Sequence, residues 1–191
     1  AVGDEVEFSV VTEAETEAVA SAGLEPREAR EAEGMIEAVR PRRSALRRVR
    51  DFKRDQVICA NVDQVFILVA VHDPPYKRAF IDRLIVACER DGIEAVVVFN
   101  KLDLCADDYA ELVAEDAAVY HSLGYRTYLS SASSGLGVDE LGDAFTDKIS
   151  AVVGPSGSGK STLLNRLCPA EDLRTGAVSE SDGRGRHTTT A

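Results

Sequence analysis

No apolar run in this chain approaches the roughly 20 residues that a membrane-spanning helix needs. Its N-terminus is acidic and lacks a basic-then-apolar leader pattern, so a cytoplasmic protein with no membrane partner is expected. Cysteine is sparse and scattered: Cys59, Cys88, Cys105 and Cys168 form no C-x-x-C pair and no Cys/His cluster. That spacing supports neither a zinc site nor a disulfide framework. Cys59 and Cys88 stand in apolar surroundings and read as buried free thiols.

Basic residues are outnumbered, 22 against 33 acids, for a net charge of −11. Taken alone, that balance argues against nucleic acid as a partner. The charge is unevenly placed, however. Residues 1–39 hold eleven acids and two arginines, whereas residues 40–54 hold eight basic residues and one acid, Asp51. The basic stretch comprises Arg40, Arg42, Arg43, Arg47, Arg48, Arg50, Lys53 and Arg54. Clustered Arg and Lys suit contact with RNA phosphates. The stretch could equally be a solvated strand or linker that pairs with the acidic region before it, since Phe52 is its one candidate base-stacking aromatic.

What the chain does contain is a change of period. An alternating V-x-F-x-V pattern closes residues 1–10 and suits a half-buried strand, and 35–39 resumes a short strand-like run. Between them, residues 12–33 are rich in Glu and Ala and interrupted by Gly23 and Pro26, which leaves a solvated helix and a disordered insertion both open. From Gln64 the pattern becomes α/β. Continuous apolar runs at 65–70 and 95–99 fit strands buried on both faces. Residues 76–90 place Phe80, Leu84, Ile85 and Cys88 on one helical face. A helix is expected over 107–123, a strand over 126–129, a short helix after Gly137, a strand over 149–153 and a helix over 160–167. Such alternation implies a mostly parallel sheet with right-handed crossovers, whose ligands bind beyond the carboxyl ends of the strands.

Two motifs begin where these strands stop. Gly154-Pro155-Ser156-Gly157-Ser158-Gly159-Lys160-Ser161 spells G-x-x-x-x-G-K-S between an apolar strand and a helix, with Thr162 continuing the helix. Glycines let backbone N–H groups converge on phosphates, and the helix N-terminus adds a favourable field. Lys160 is expected to reach the outer phosphates and the Ser161 hydroxyl to ligate Mg²⁺. This loop does not name a base. Asn100-Lys101-Leu102-Asp103 reads N-K-x-D directly after AVVVF. The Asp103 carboxylate can accept two hydrogen bonds from the guanine ring N–H and exocyclic amine, a donor pair adenine lacks. Asn100 would brace the loop and the Lys101 stem would cover the base. Ser131-Ala132-Ser133, after the 126–129 strand, is similar to the S-A-x element whose backbone supports the guanine oxygen. Thr188 or Thr189, in Gly185-Arg186-His187-Thr188-Thr189-Thr190, is placed to complete a Mg²⁺ shell as a switch threonine.

The base-reading motif precedes the phosphate loop, the reverse of an ordinary GTPase. In that order, and in the segments PRRSALRR (41–48), ANVDQVFILVAVHDP (60–74), FNKLDL (99–104), GPSGSGKSTLLN (154–165) and GRGRHTTT (183–190), the chain closely resembles the circularly permuted, ribosome small subunit-dependent GTPase A family. The resemblance implies a GTP- and GDP-binding enzyme using Mg²⁺, active in late maturation of the small ribosomal subunit and stimulated by that subunit and its rRNA. It implies an OB-fold before the GTPase domain and a zinc domain after it. His187 matches a switch histidine proposed to assist hydrolysis. The expected fold is therefore α/β, a circularly permuted P-loop GTPase domain over 51–191, preceded at 1–50 by a partial OB-fold and basic linker. A monomer is expected.

The family's D-x-P-G element would follow the switch threonines, and the chain stops at Ala191 before it. Asp139-Glu140-Leu141-Gly142 and Asp182-Gly183-Arg184-Gly185 spell D-x-x-G, but neither follows a strand. The chain thus reads as a fragment that retains GDP binding and hydrolyses GTP poorly, with zinc belonging to the missing domain. Two other readings stand beside this one. An ABC-type ATPase shares the phosphate loop but needs an LSGGQ-like segment and a strand ending in Asp-Glu, which are not found. A non-catalytic rRNA-binding piece would act through Arg40–Arg54 alone.

Overall fold

The computed structural model describes residues 1–10, 34–49 and 55–168. Thr188, Thr189, His187, the 182–185 segment, the whole acidic 12–33 region, and Arg50, Lys53 and Arg54 lie outside the described residues. The elements run β1 (Val6–Val10), β2 (Gly34–Val39), β3 (Ala45–Val49), β4 (Asp55–Ala60), β5 (Gln64–Ala70), α1 (Arg78–Asp91), β6 (Glu94–Asn100), a 3₁₀ turn (Leu102–Leu104), α2 (Asp107–Ser122), β7 (Arg126–Leu129), α3 (Val138–Asp143), β8 (Ser150–Val153) and α4 (Lys160–Leu167). No described helix is long and apolar enough to cross a membrane.

Strands β5 to β8 form one parallel sheet in the order β7-β6-β5-β8. The continuous apolar runs follow from its position between two helical layers. Along β5, Val65, Ile67 and Val69 join a cluster with Ile81, Ile85 and Cys88 of α1 and Val113, Ala117 and Tyr120 of α2. Phe66 and Leu68 face the other way, against Leu141 of α3 and Leu163 of α4. Each such side chain contributes about 1.5–3 kcal/mol by leaving water. The centre of the α1 buried face is Ile81, Ile85 and Cys88, with Phe80 and Leu84 packed at its margin. Cys59 and Cys88 are indeed buried free thiols. The Asp139–Gly142 segment lies inside α3, in keeping with its dismissal as a nucleotide element.

Strands β1 and β2 pair antiparallel, as do β3 and β4. The second pair is absent from the pattern read in the sequence. Its basic residues hid it: among the described side chains of β3, Ala45 and Leu46 are the buried ones, next to a run of arginines in the sequence. Strands β3 and β4 lie on either side of residue 50, where the expected division between the OB-fold part and the GTPase domain falls.

The described arginine side chains of the basic stretch are paired with acids. Arg40 reaches Glu7 at 3.2 Å and Glu5 at 3.9 Å, and Arg42 reaches Asp4 at 2.6 Å. Arg43 contacts Asp63 and Arg47 contacts Asp91, each at 2.5 Å. Arg42 holds the Asp4 carboxyl well below the usual carboxylate range through its hydrogen bond.

Asn61, Val62, Asp63 and Gln64 tie these strands to the parallel sheet. The Asn61 side chain accepts from the Arg43 N–H at 2.9 Å and donates to the Gly3 carbonyl at 2.8 Å. Asp63 receives the Arg43 guanidinium on one oxygen and the Ile149 N–H, at 2.8 Å, on the other. Gln64 is fully buried, donates to the Ala144 carbonyl and Ser150 Oγ, and accepts from Arg126. The segment is a clamp at the end of the sheet opposite the carboxyl ends of the strands.

Candidate functional site

At the carboxyl ends of β5, β6 and β8 the two motifs converge. The loop 154–159 leaves β8 and delivers Lys160 as the first residue of α4. Gly154 lies so close to β5 that a Cβ there would overlap the Leu68 carbonyl oxygen. Gly159, at φ 93°, faces the side chain of Asn100, which a Cβ would likewise overlap. Lys160 Nζ donates to the carbonyls of Gly154 at 3.0 Å and Pro155 at 2.8 Å. Its ammonium thus closes the loop on itself, and burial pulls its pKa below the ordinary lysine value. Gly157 adopts positive φ, and Ser158 N–H donates to the Pro155 carbonyl at 3.3 Å. Ser156, Ser161 and Thr162 complete the loop and the first turn of α4, with Thr162 exposed.

Asn100 ends β6 and is 1% exposed. Its Nδ2 donates to the Ser158 carbonyl at 2.9 Å, and its Oδ1 accepts from Ala132 N–H at 3.0 Å and Ser130 Oγ at 3.3 Å. One amide therefore joins all three segments singled out in the sequence. Lys101 follows in the left-handed region, φ 69°, and its Nζ donates to the Asp73 carbonyl. Burial lowers the Lys101 pKa, against the opposing pull of Asp73 and Asp103.

Asp103 sits in the 3₁₀ turn. Ser131 Oγ donates to its Oδ1 at 2.5 Å and Ser133 Oγ to its Oδ2 at 2.7 Å. Burial alone would raise the carboxyl pKa, but these two hydroxyl bonds, aided by Lys101, outweigh it and hold it below the ordinary value. Asn100, Lys101, Asp103, Leu104, Ala132, Ser133, Gly159 and Thr162 line a cavity of about 150 Å³. That volume holds several waters and opens to solvent on one side.

The residues expected in the base-reading, S-A-x and phosphate segments are thus brought to one place. His187, Thr188 and Thr189 lie outside the described residues. The sequence reading missed the hydroxyls of Ser130 and Ser133 and the side chain of Arg166, whose Nη1 donates to the carbonyls of Ala132 and Ser133. The signal for the serines was present in the run SSASS, which was read only for its backbone.

A model of the RsgA GTPase family matches residues 39–191. The chain belongs to the RsgA GTPase family. It is 45% identical over 157 residues to the small ribosomal subunit biogenesis GTPase RsgA of Moorella thermoacetica, covering 82% of this chain and 50% of that relative. Against the protein of the same name from Chlorobaculum parvum it is 40% identical over 197 residues, covering 100% of this chain and 58% of the relative. The chain thus spans about half the length of the curated relatives it matches.

Among solved structures it is similar to YjeQ from Thermotoga maritima, with a TM-score of 0.61 and 37% identity, over 80% of this chain and 52% of that one. It is also similar to YloQ, described as a circularly permuted GTPase, with a TM-score of 0.58 and 26% identity, over 90% of this chain and 51% of that one. The fold is therefore that of a circularly permuted RsgA-type GTPase domain, an α/β architecture on a parallel sheet. Membership in this family displaces the ABC-type ATPase alternative.

Proposed function

We propose that this chain is the guanine-nucleotide-binding part of a GTPase that acts in late maturation of the small ribosomal subunit, converting GTP to GDP and phosphate. The observation that carries this reading is the Asn100 amide, which fixes the N-K-x-D segment, the S-A-x loop and the phosphate loop as one unit. Asp103 is the base reader, because its carboxylate stays ionised beside a cavity and offers a rigid acceptor pair to the ring N–H and amine of guanine. Gly154 to Gly159 cradle the phosphates, with Lys160 leaving its carbonyl partners to meet the outer ones.

Ser161 and Thr189 are the residues that would hold Mg²⁺, which supplies charge neutralisation at the β- and γ-phosphates. A single hydroxyl at the head of α4 fits that ion, since Mg²⁺ takes few protein ligands and completes its shell with phosphate oxygens and water. His187 and Thr188, next to Thr189 in the sequence, would assist hydrolysis. The OB-fold remnant is assigned to residues 1–50 and the GTPase domain to 51–191, with β3 and β4 paired across that division. The whole acts as a cytoplasmic monomer whose partner is the small subunit and its rRNA, after the name its relatives carry.

RNA binding through Arg40–Arg54 alone is the weaker reading, because Arg40, Arg42, Arg43 and Arg47 already face carboxylates. Calorimetric titration with GDP and ADP tests the proposal. Selective GDP binding is expected, and equal affinity for the two would overturn the guanine assignment.

A further inference from the structure

The S-A-x loop is held from two sides, and only one of them is accounted for by the N-K-x-D motif. On the inner side, Ala132 N–H is taken by Asn100 Oδ1 at 3.0 Å. Ser131 N–H is taken by the Leu136 carbonyl at 2.9 Å, Ser134 N–H by Ser131 Oγ at 3.1 Å, and Gly135 N–H by the Ser131 carbonyl at 2.8 Å. Among the described residues, Ser133 is left as the position of this loop whose backbone N–H has no internal acceptor. Ser133 and Ala132 both line the cavity with Asp103.

On the outer side stands Arg166, on α4 two turns beyond Lys160. Its Nη1 donates to the Ala132 carbonyl at 3.2 Å and the Ser133 carbonyl at 3.1 Å. The guanidinium also fills the space beside Gly135, where a Cβ would overlap it and where φ is 95°. A trans peptide is planar, with its C=O and N–H pointing in opposite directions. Holding the Ala132 carbonyl toward α4 therefore turns the Ser133 N–H away from α4. A cation on the carbonyl side also draws electron density through the amide and makes that N–H a stronger donor.

We propose that Arg166 is a positioning residue for guanine selectivity: by anchoring the Ala132–Ser133 peptide from α4, it aims the Ser133 N–H at the exocyclic oxygen of the base. The inference rests on the guanine-binding reading above and adds to it a residue outside the N-K-x-D, S-A-x and phosphate-loop segments. It also joins the helix that follows the phosphate loop to the base loop, a second tie between the two segments beside the Asn100 amide.

The test compares GDP with 6-thio-GDP, in which sulfur replaces that oxygen and accepts hydrogen bonds poorly, on wild type, Arg166→Ala and Arg166→Lys. For Arg166→Ala, GDP affinity should fall about two- to ten-fold, the scale of one hydrogen bond. The affinity for 6-thio-GDP should barely move, so the preference of wild type for GDP over its thio analogue collapses. Arg166→Lys, which keeps a cationic donor, should restore part of the preference. Equal weakening of both nucleotides would reduce Arg166 to a general support of the fold and overturn the proposal. So would unchanged GDP binding, or a wild type that does not distinguish the two ligands. Failure of wild type to prefer GDP over ADP would instead strike the guanine reading itself. Arg166 is exposed, so both variants should fold, and thermal melting of each checks this.

Discussion

The side-chain amide of Asn100 donates to the carbonyl oxygen of Ser158 across 58 positions of chain, at 2.9 Å and out of contact with water. Its other end accepts from Ala132 and Ser130. Asn100→Ala therefore strands a buried carbonyl and a buried N–H at once. Leaving such groups unpaired costs about 1–3 kcal/mol each, so a loss of about 2–6 kcal/mol is expected in urea unfolding. A loss under about 0.5 kcal/mol would mean that water replaces the amide and the three segments are held otherwise.

Asp103→Asn exchanges one acceptor of the carboxylate pair for a donor. Binding should shift from GDP toward XDP, whose ring carries an oxygen where guanine carries the amine. A change of about 10- to 100-fold in the GDP-to-XDP ratio corresponds to a charge-assisted bond of about 1.5–3 kcal/mol. Calorimetry with the two diphosphates reads the ratio directly, and an unmoved ratio would remove Asp103 from the base site.

The hydroxyls of Ser131 and Ser133 favour the ionised form of Asp103 in the folded chain. With a folded pKa below the unfolded value, their contribution to stability is complete above the unfolded pKa of about 3.9. It is lost as the pH falls through the folded value. Replacing both serines by alanine should raise the Asp103 titration midpoint, followed by carboxyl-carbon NMR. It should also make GDP binding fail at a higher pH on acidification. A midpoint that stays put would show that the hydroxyls are not what keeps the carboxylate charged.

Gly154→Ala and Gly92→Ala separate two reasons for glycine. At Gly154 the new methyl meets the backbone of β5, and overpacking of this kind costs about 1–3 kcal/mol. GDP binding should be lost with it, since the loop must move off the sheet. Gly92 has φ 65° with open space around the site, so only left-handed strain of about 1–2 kcal/mol is expected. Its nucleotide affinity should be that of wild type. Parallel melting and GDP titrations distinguish the two.

Much of the sheet was legible because its strands are buried on both faces: VFILVA and AVVVF have few other ways to fold. The phosphate loop and Asn100 were legible for a different reason, since their chemistry tolerates few residue types. The β3–β4 pair was not, because Arg47 carries an ion pair to Asp91 instead of an apolar contact and breaks the period. The same holds for Ser133 and Arg166. Their roles depend on long-range hydrogen bonds, which have no local signature. The Asn61–Gln64 segment stood out as a family mark, but its work as a clamp emerged only with its partners Arg43, Ile149 and Ala144 in place.

The parallel sheet has β8 paired with β5 alone among the described strands. In the permuted order this strand is also the last of the four to be synthesised. The Asn100 amide and the carbonyls of Ala132 and Ser133 meet their partners Ser158 and Arg166 only on the far side of this strand, so the last of the four strands brings the residues that complete both motif segments at once.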